Sequence, residues 1–97
     1  MKTGLDFVAE ARQNQLNKGY TPENDKGYVN NELTKLAVSY LRTPFFNPLI
    51  QIGKQVPMDF PFKKEFWKPT PEDRIKELAK AGATICAEID RLQAQNK

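Results

Sequence analysis

Ninety-seven residues carry 15 basic and 12 acidic side chains, a net charge of +3, and no histidine. Without imidazole, serine–histidine and cysteine–histidine nucleophiles, histidine metal sites and histidine proton shuttles are excluded. The single cysteine, Cys86, cannot form an intrachain disulfide and sits among small apolar residues, so it reads as a packing thiol in a reducing compartment.

A first helix is predicted from about Gly4 to Asn17. Thr3 is its N-cap, Asp6 places a carboxylate in the first turn, and Gly19 is placed to end it. Tyr20 to Asn31 is dense in turn formers, and Thr21-Pro22 followed by Glu23, Asn24 and Asp25 can start one helical turn. A second helix is predicted from about Glu32 to Arg42, capped by Asn30 or Asn31. Leu33, Leu36, Ala37, Tyr40 and Leu41 form its apolar face, and Thr43-Pro44 ends it. Phe45 to Pro69, rich in proline and aromatic rings, reads as an irregular wrap whose rings cover the gap between helices. Within it, Leu49 to Ile52 suits either a short strand or a helical turn.

The third helix is predicted to start with Thr70 as cap, Pro71 at the first helical position and Glu72 and Asp73 in the first turn, and to run to about Gln93. Glu72 and Lys76 make an i, i+4 pair within it. Ile75, Leu78, Gly82, Ile85, Ile89 and Leu92 follow at steps of 3, 4, 3, 4 and 3, one narrow packing stripe along the helix. Gly82, with small residues around it, predicts close approach of another backbone, from an earlier helix or from a second copy. The expectation is a single all-α domain over residues 1–97. It has three helices, a long aromatic, proline-rich loop between the second and third, and a homo-oligomer contact through helix 71–93.

The chemistry is spare. Acidic residues are spread singly, with no ExxE pair to hold magnesium, and no GxxxxGK or GxGxxG phosphate loop occurs. No enzyme activity, cofactor or metal is therefore expected. Lys63, Lys64 and Lys68 alternate with Phe62, Phe66 and Trp67, but the positive charge is too local to predict nucleic-acid binding. No apolar run reaches membrane-spanning length, and the N-terminal MKTGLDFVAEARQ lacks the apolar centre of a signal peptide. Arg12, Tyr20, Asn24, Asp25, Trp67, Lys68 and Arg74 are residue types suited to a planar base joined to a phosphate.

Two blocks, Glu10 to Tyr28 (EARQNQLNKGYTPENDKGY, followed by Glu32-Leu33) and Phe66 to Leu92, together resemble a family of small proteins encoded by bacteriophages and prophages. In that family a motif like ERxxQxxxGWTPEHDD precedes a GEL helix, and the chain closes on WxKP…RxLxKAGAxIxAEIDRL. The likeness covers most of the chain except the middle loop. It departs where the family's Glu-His-Asp-Asp stands as Glu23-Asn24-Asp25-Lys26, and where the family tryptophan is Tyr20. A role for Asn24 in loop bonding or ligand contact then fits better than catalysis. The first block also faintly resembles the ryanodine-receptor repeat domain, from which no residue role is carried over.

The resemblance implies a viral accessory protein in the host bacterial cytoplasm. Analogy with small phage proteins that sequester nucleotide immune signals as helical oligomers implies an anti-defence role. The function expected is non-catalytic binding of a small anionic, nucleotide-like ligand. Tyr20 or Trp67 would stack, Arg12, Lys68 and Arg74 would meet phosphate, and Asn24 and Asp25 would meet base or ribose. The alternative is a protein-interaction module that docks a host or phage protein through the aromatic loop.

Overall fold

The computed structural model describes residues 1–95. The chain is mostly helical, with no strand among the described residues. Among the described residues there are five α-helices rather than three: α1 (Gly4–Asn17), α2 (Pro22–Asp25), α3 (Glu32–Leu41), α4 (Pro48–Gln51) and α5 (Arg74–Gln95). Two 3-10 turns, Thr43–Phe45 and Lys64–Phe66, punctuate the wrap between α3 and α5. No helix among the described residues is long and apolar enough to cross a membrane.

Local chemistry accounts for most of the boundaries. Thr3 and Asp6 close a capping box at the start of α1: Asp6 N–H donates to Thr3 Oγ1 at 3.2 Å, and Thr3 N–H donates to Asp6 Oδ2 at 2.8 Å. Gly19, at φ 93°, takes the left-handed step after α1 that a side chain resists. The two extra helices are single turns with proline at their first position. Thr21 Oγ1 accepts from Asn24 N–H at the start of α2, and Asn47 Oδ1 accepts from Ile50 N–H at 3.0 Å at the start of α4. Leu49 to Ile52 is thus a helical turn and its end, not a strand. Asn31 precedes α3 in a left-handed conformation without a side-chain cap; instead Glu32 Oε1 accepts from Asn30 N–H at 2.6 Å.

The start of the last helix differs from the expectation. Thr70 to Glu72 form a turn, and the helix begins at Arg74, with Asp73 Oδ1 accepting from Lys76 N–H at 3.0 Å. The cap is therefore Asp73, not Thr70. Thr70 N–H instead donates to Glu77 Oε2 at 3.0 Å. Glu72 falls outside the helix, so its i, i+4 spacing to Lys76 carries no ion pair.

α5 is the centre of the fold, packed by α1, α2 and α3. At the core Tyr40, Trp67 and Ala81 meet, with Leu36, Phe46, Ile50 and Phe60 around them. The wrap delivers most of these rings. Trp67 lies 5.1 Å from Tyr40, 5.6 Å from Phe60 and 6.3 Å from Phe46 between ring centroids, and its Nε1–H donates to Ile50 O at 2.8 Å. The Phe46 and Phe60 rings meet Trp67 edge to face and the Tyr40 ring is tilted by 31°; aromatic pairs of this kind each add about 0.5–1.5 kcal/mol beyond the area they bury.

The stripe on α5 behaves contrary to its pattern. The face turned to α1 and α3 is made of Ala79, Ala81, Ala83, Thr84 and Ala87, while Ile75, Leu78, Ile85, Ile89 and Leu92 are between 44 and 57 % exposed. Small residues let the neighbouring helices close on α5. A Cβ built on Gly82 would stand 2.7 Å from Val8 Cγ2, so the close neighbour anticipated at Gly82 is α1 of the same chain. The molecule measures 43 × 36 × 20 Å. Its thinnest dimension is about two helix diameters, enough to cover one side of α5 and not the other.

Candidate ligand-binding cavity

The covered side of α5 is not filled. Between α1, α3, the α2 loop and the end of the wrap lies an open cavity of about 900 Å³. Lys76, Lys80, Thr84 and Ala87 of α5 run along its floor, and Phe7, Ala11, Asn14 and Lys18 of α1 form one wall. Leu33, Leu36 and Tyr40 of α3 contribute apolar surface. Tyr20, Asp25, Tyr28, Phe62, Phe66 and Lys68 add to the lining, and Ile75, at the N-terminal end of the α5 stripe, reaches its edge. Tyr28 and Phe62 meet edge to face at 5.3 Å and join the α2 loop to the wrap.

Charge in the cavity is uneven. Glu10 is paired with Lys2 at 2.7 Å, and Asp73 is engaged as the helix cap. Lys18, Lys68, Lys76 and Lys80 have no carboxylate partner among the described residues. Lys80 shows the consequence. Burial first, then the fields of Lys76 and Lys18, lower its pKa; Glu77 opposes them, and Lys68 adds a smaller lowering. Its Nζ donates to Lys68 O at 3.1 Å and stands 5.4 Å from the centre of the Tyr40 ring.

The opposite end is built on two buried arginines and the carboxylates near them. Arg12 Nη2 pairs with Asp90 at 2.9 Å, while its Nη1 donates to Gln15 Oε1 and to Tyr20 O. Gln15 Nε2 in turn donates to Thr84 Oγ1 at 3.4 Å. Arg91 Nε donates to Glu88 Oε1 at 2.5 Å. Asp25, 2 % exposed, lies within the fields of both arginines. Burial raises its pKa, and Arg12 and Arg91 pull it back only in part.

Of the seven residues singled out in the sequence, Tyr20, Asp25 and Lys68 come to this cavity. The other four are engaged elsewhere. Arg12 is buried in the ion network behind the wall. Asn24 Nδ2 donates to Gly19 O and holds the loop. Trp67, 4 % exposed, is locked in the core among Tyr40, Phe46 and Phe60, with its N–H taken by Ile50 O. Arg74 donates to Tyr40 O at 3.0 Å and Leu41 O at 2.8 Å, closing the end of α3 against the start of α5, and meets Glu77 at 3.5 Å.

Lys18, Tyr28, Lys76 and Lys80 are the residues that sequence reasoning missed. The signal available for two of them was Lys76 and Lys80 at i, i+4, a like-charge pair that costs a helix a few tenths of a kcal/mol. Among the described residues, no three histidine, cysteine or carboxylate side chains gather as a metal site. The chain matches no family model, no curated protein and no solved structure.

Proposed function

We propose that the chain binds a small anionic, nucleotide-like ligand in the α1–α3–α5 cavity and performs no chemistry on it. The observation that carries this reading is the convergence of Lys18, Lys68, Lys76 and Lys80 around one half-enclosed space without carboxylate partners. Crowding four cations is unfavourable unless an anion joins them; the pKa of Lys80 is lowered by its burial first and by Lys76 and Lys18 after it. Tyr20, Tyr28 and Phe66 supply ring surface beside the charge. An accessory protein of a phage, sequestering a nucleotide signal of the host cytoplasm, is the biological role the sequence resemblance favours.

The same reading includes self-association through helix 71–93. The chain exposes 6518 Å² of surface for a mass of 11.1 kDa, where a compact monomer of that mass exposes about 5,700 Å². The excess belongs to a thin molecule with an open cavity and an uncovered aliphatic stripe. The exposed aliphatic stripe on α5 is where a second copy fits.

Calorimetric titration with nucleoside mono- and triphosphates tests the cavity. Lys76→Ala with Lys80→Ala is expected to weaken binding tenfold or more, on the order of 1.4 kcal/mol or more. Binding to the parent chain should also weaken as pH rises through the lowered pKa of Lys80, because the charge facing the anion is lost. Failure of every nucleotide to bind the parent chain would remove this reading. Phe45, Leu49, Ile52 and Met58 of the wrap are exposed, which favours docking of a protein partner as a second reading. Under that reading, Phe45→Ser with Met58→Ser abolishes partner capture while the lysine variants leave it intact.

A further inference from the structure

Lys80 is the one amine of the cavity that the fold fixes. Its side chain lies half-buried on the α5 floor, whereas Lys18, Lys68 and Lys76 are exposed. Its Nζ donates to Lys68 O at 3.1 Å and rests over the Tyr40 ring, and it forms no ion pair among the described residues. The Tyr40 hydroxyl meets the backbone of the same Lys68, so α3, the wrap and α5 together define where the amine stands.

The surroundings decide which form of this amine is available. The bond to Lys68 O, the Tyr40 ring face and Glu77 favour the ammonium ion. Burial opposes them and is the largest influence. Lys76, one turn earlier, and Lys18 of α1 act with burial, and Lys68 of the wrap adds to them. The sum places the pKa below that of an ordinary lysine. Burial pushes Tyr40 upward, so its hydroxyl stays a neutral phenol. A desolvated lysine beside other cations is the setting in which an amine attacks a carbonyl carbon.

We propose that Lys80 captures a small phosphate-bearing aldehyde as a reversible imine while Lys18, Lys68 and Lys76 hold its phosphate. This rests on the reading of the cavity as an anion site. The lone pair of the Lys80 nitrogen forms the bond to the aldehyde carbon. The carbonyl oxygen leaves as water, carrying both hydrogens of the neutral amine. Hydrolysis returns the same aldehyde, so the ligand is held and not converted. Three cations remain to hold the anion once Lys80 has given up its charge.

The probes are pyridoxal 5′-phosphate and pyridoxal, which carries the same aldehyde without the phosphate. Each is incubated with the parent chain and with Lys80→Arg, the imine is reduced with borohydride, and adducts are mapped by peptide mass. In the parent chain the phosphate-bearing probe should concentrate on Lys80 and be displaced by a nucleoside triphosphate, while pyridoxal shows no such preference. The Lys80 adduct should appear at lower pH than adducts on the exposed lysines, because its neutral form is reached first. Binding of a simple anion runs the other way and weakens as pH rises. Lys80→Arg keeps the charge and removes the amine, so it should still bind triphosphates in calorimetry and lose the displaceable adduct. Adducts spread over the exposed lysines without preference for Lys80, or a displaceable adduct that persists in Lys80→Arg, would overturn imine formation and leave the anion site standing. No binding of the probe or of any triphosphate would overturn both. Should the variant fail to fold, the adduct map of the parent chain decides alone.

Discussion

Replacing Gly82 with alanine puts one methyl group where α5 meets α1. The added Cβ would lie 2.7 Å from Val8 Cγ2, 3.3 Å from Val8 Cγ1 and 3.6 Å from Val8 Cβ. Val8 lies within α1, where a β-branched side chain strongly prefers one χ1 rotamer, so turning a methyl out of the contact is itself unfavourable. The helices must separate, and overpacking of this kind costs about 1–3 kcal/mol. Against it stands the gain from replacing glycine in a helix interior, about 1 kcal/mol. The net expectation is a loss of about 1 kcal/mol, a fall in melting temperature of about 4–8 °C for a domain of this size. Urea denaturation of four proteins isolates the contact: parent, Gly82→Ala, Val8→Ala and the double variant. In the Val8→Ala background the methyl group has room, so Gly82→Ala should turn stabilising, with a coupling of about 1–2 kcal/mol. The same effect of Gly82→Ala in both backgrounds, or a stabilised single variant, would refute the packing argument.

Under the proposed self-association, Ile85→Lys with Ile89→Lys should leave single copies in sedimentation equilibrium without loss of helical circular dichroism, because both residues are about half exposed in one chain. A parent chain that sediments as a monomer at micromolar concentration would discard the interface. Trp67→Phe removes the bond to Ile50 O and part of the core's volume, and should cost about 2 kcal/mol in urea denaturation. The parent's lone tryptophan should fluoresce in the blue range of a buried indole; emission typical of a solvated ring would contradict its place in the core.

Sequence by itself determined the elements whose causes are local. Thr3, Asp6 and Gly19 bound α1 through short-range hydrogen bonds and a left-handed step, and the i, i+3, i+4 pattern of Leu33, Leu36, Ala37 and Tyr40 places the buried side of α3. The turn at α2 follows from Thr21-Pro22 in the same way. Tertiary structure decided which face of α5 goes inside. Hydrophobic periodicity marks surface that seeks cover but does not say whether the same chain supplies it. Alanines 79, 81, 83 and 87 admit neighbouring helices more closely than isoleucine does, so the large side chains were left outside. The site divides along the same line. Trp67, Arg12 and Arg74 have the chemistry of ligand contacts, yet a ring core, a buried ion network and the end of α3 claim them. Lys18, Lys68, Lys76 and Lys80 are ordinary surface residues in one dimension, and only the packing of α1 and the wrap against α5 gathers their charge around Lys80.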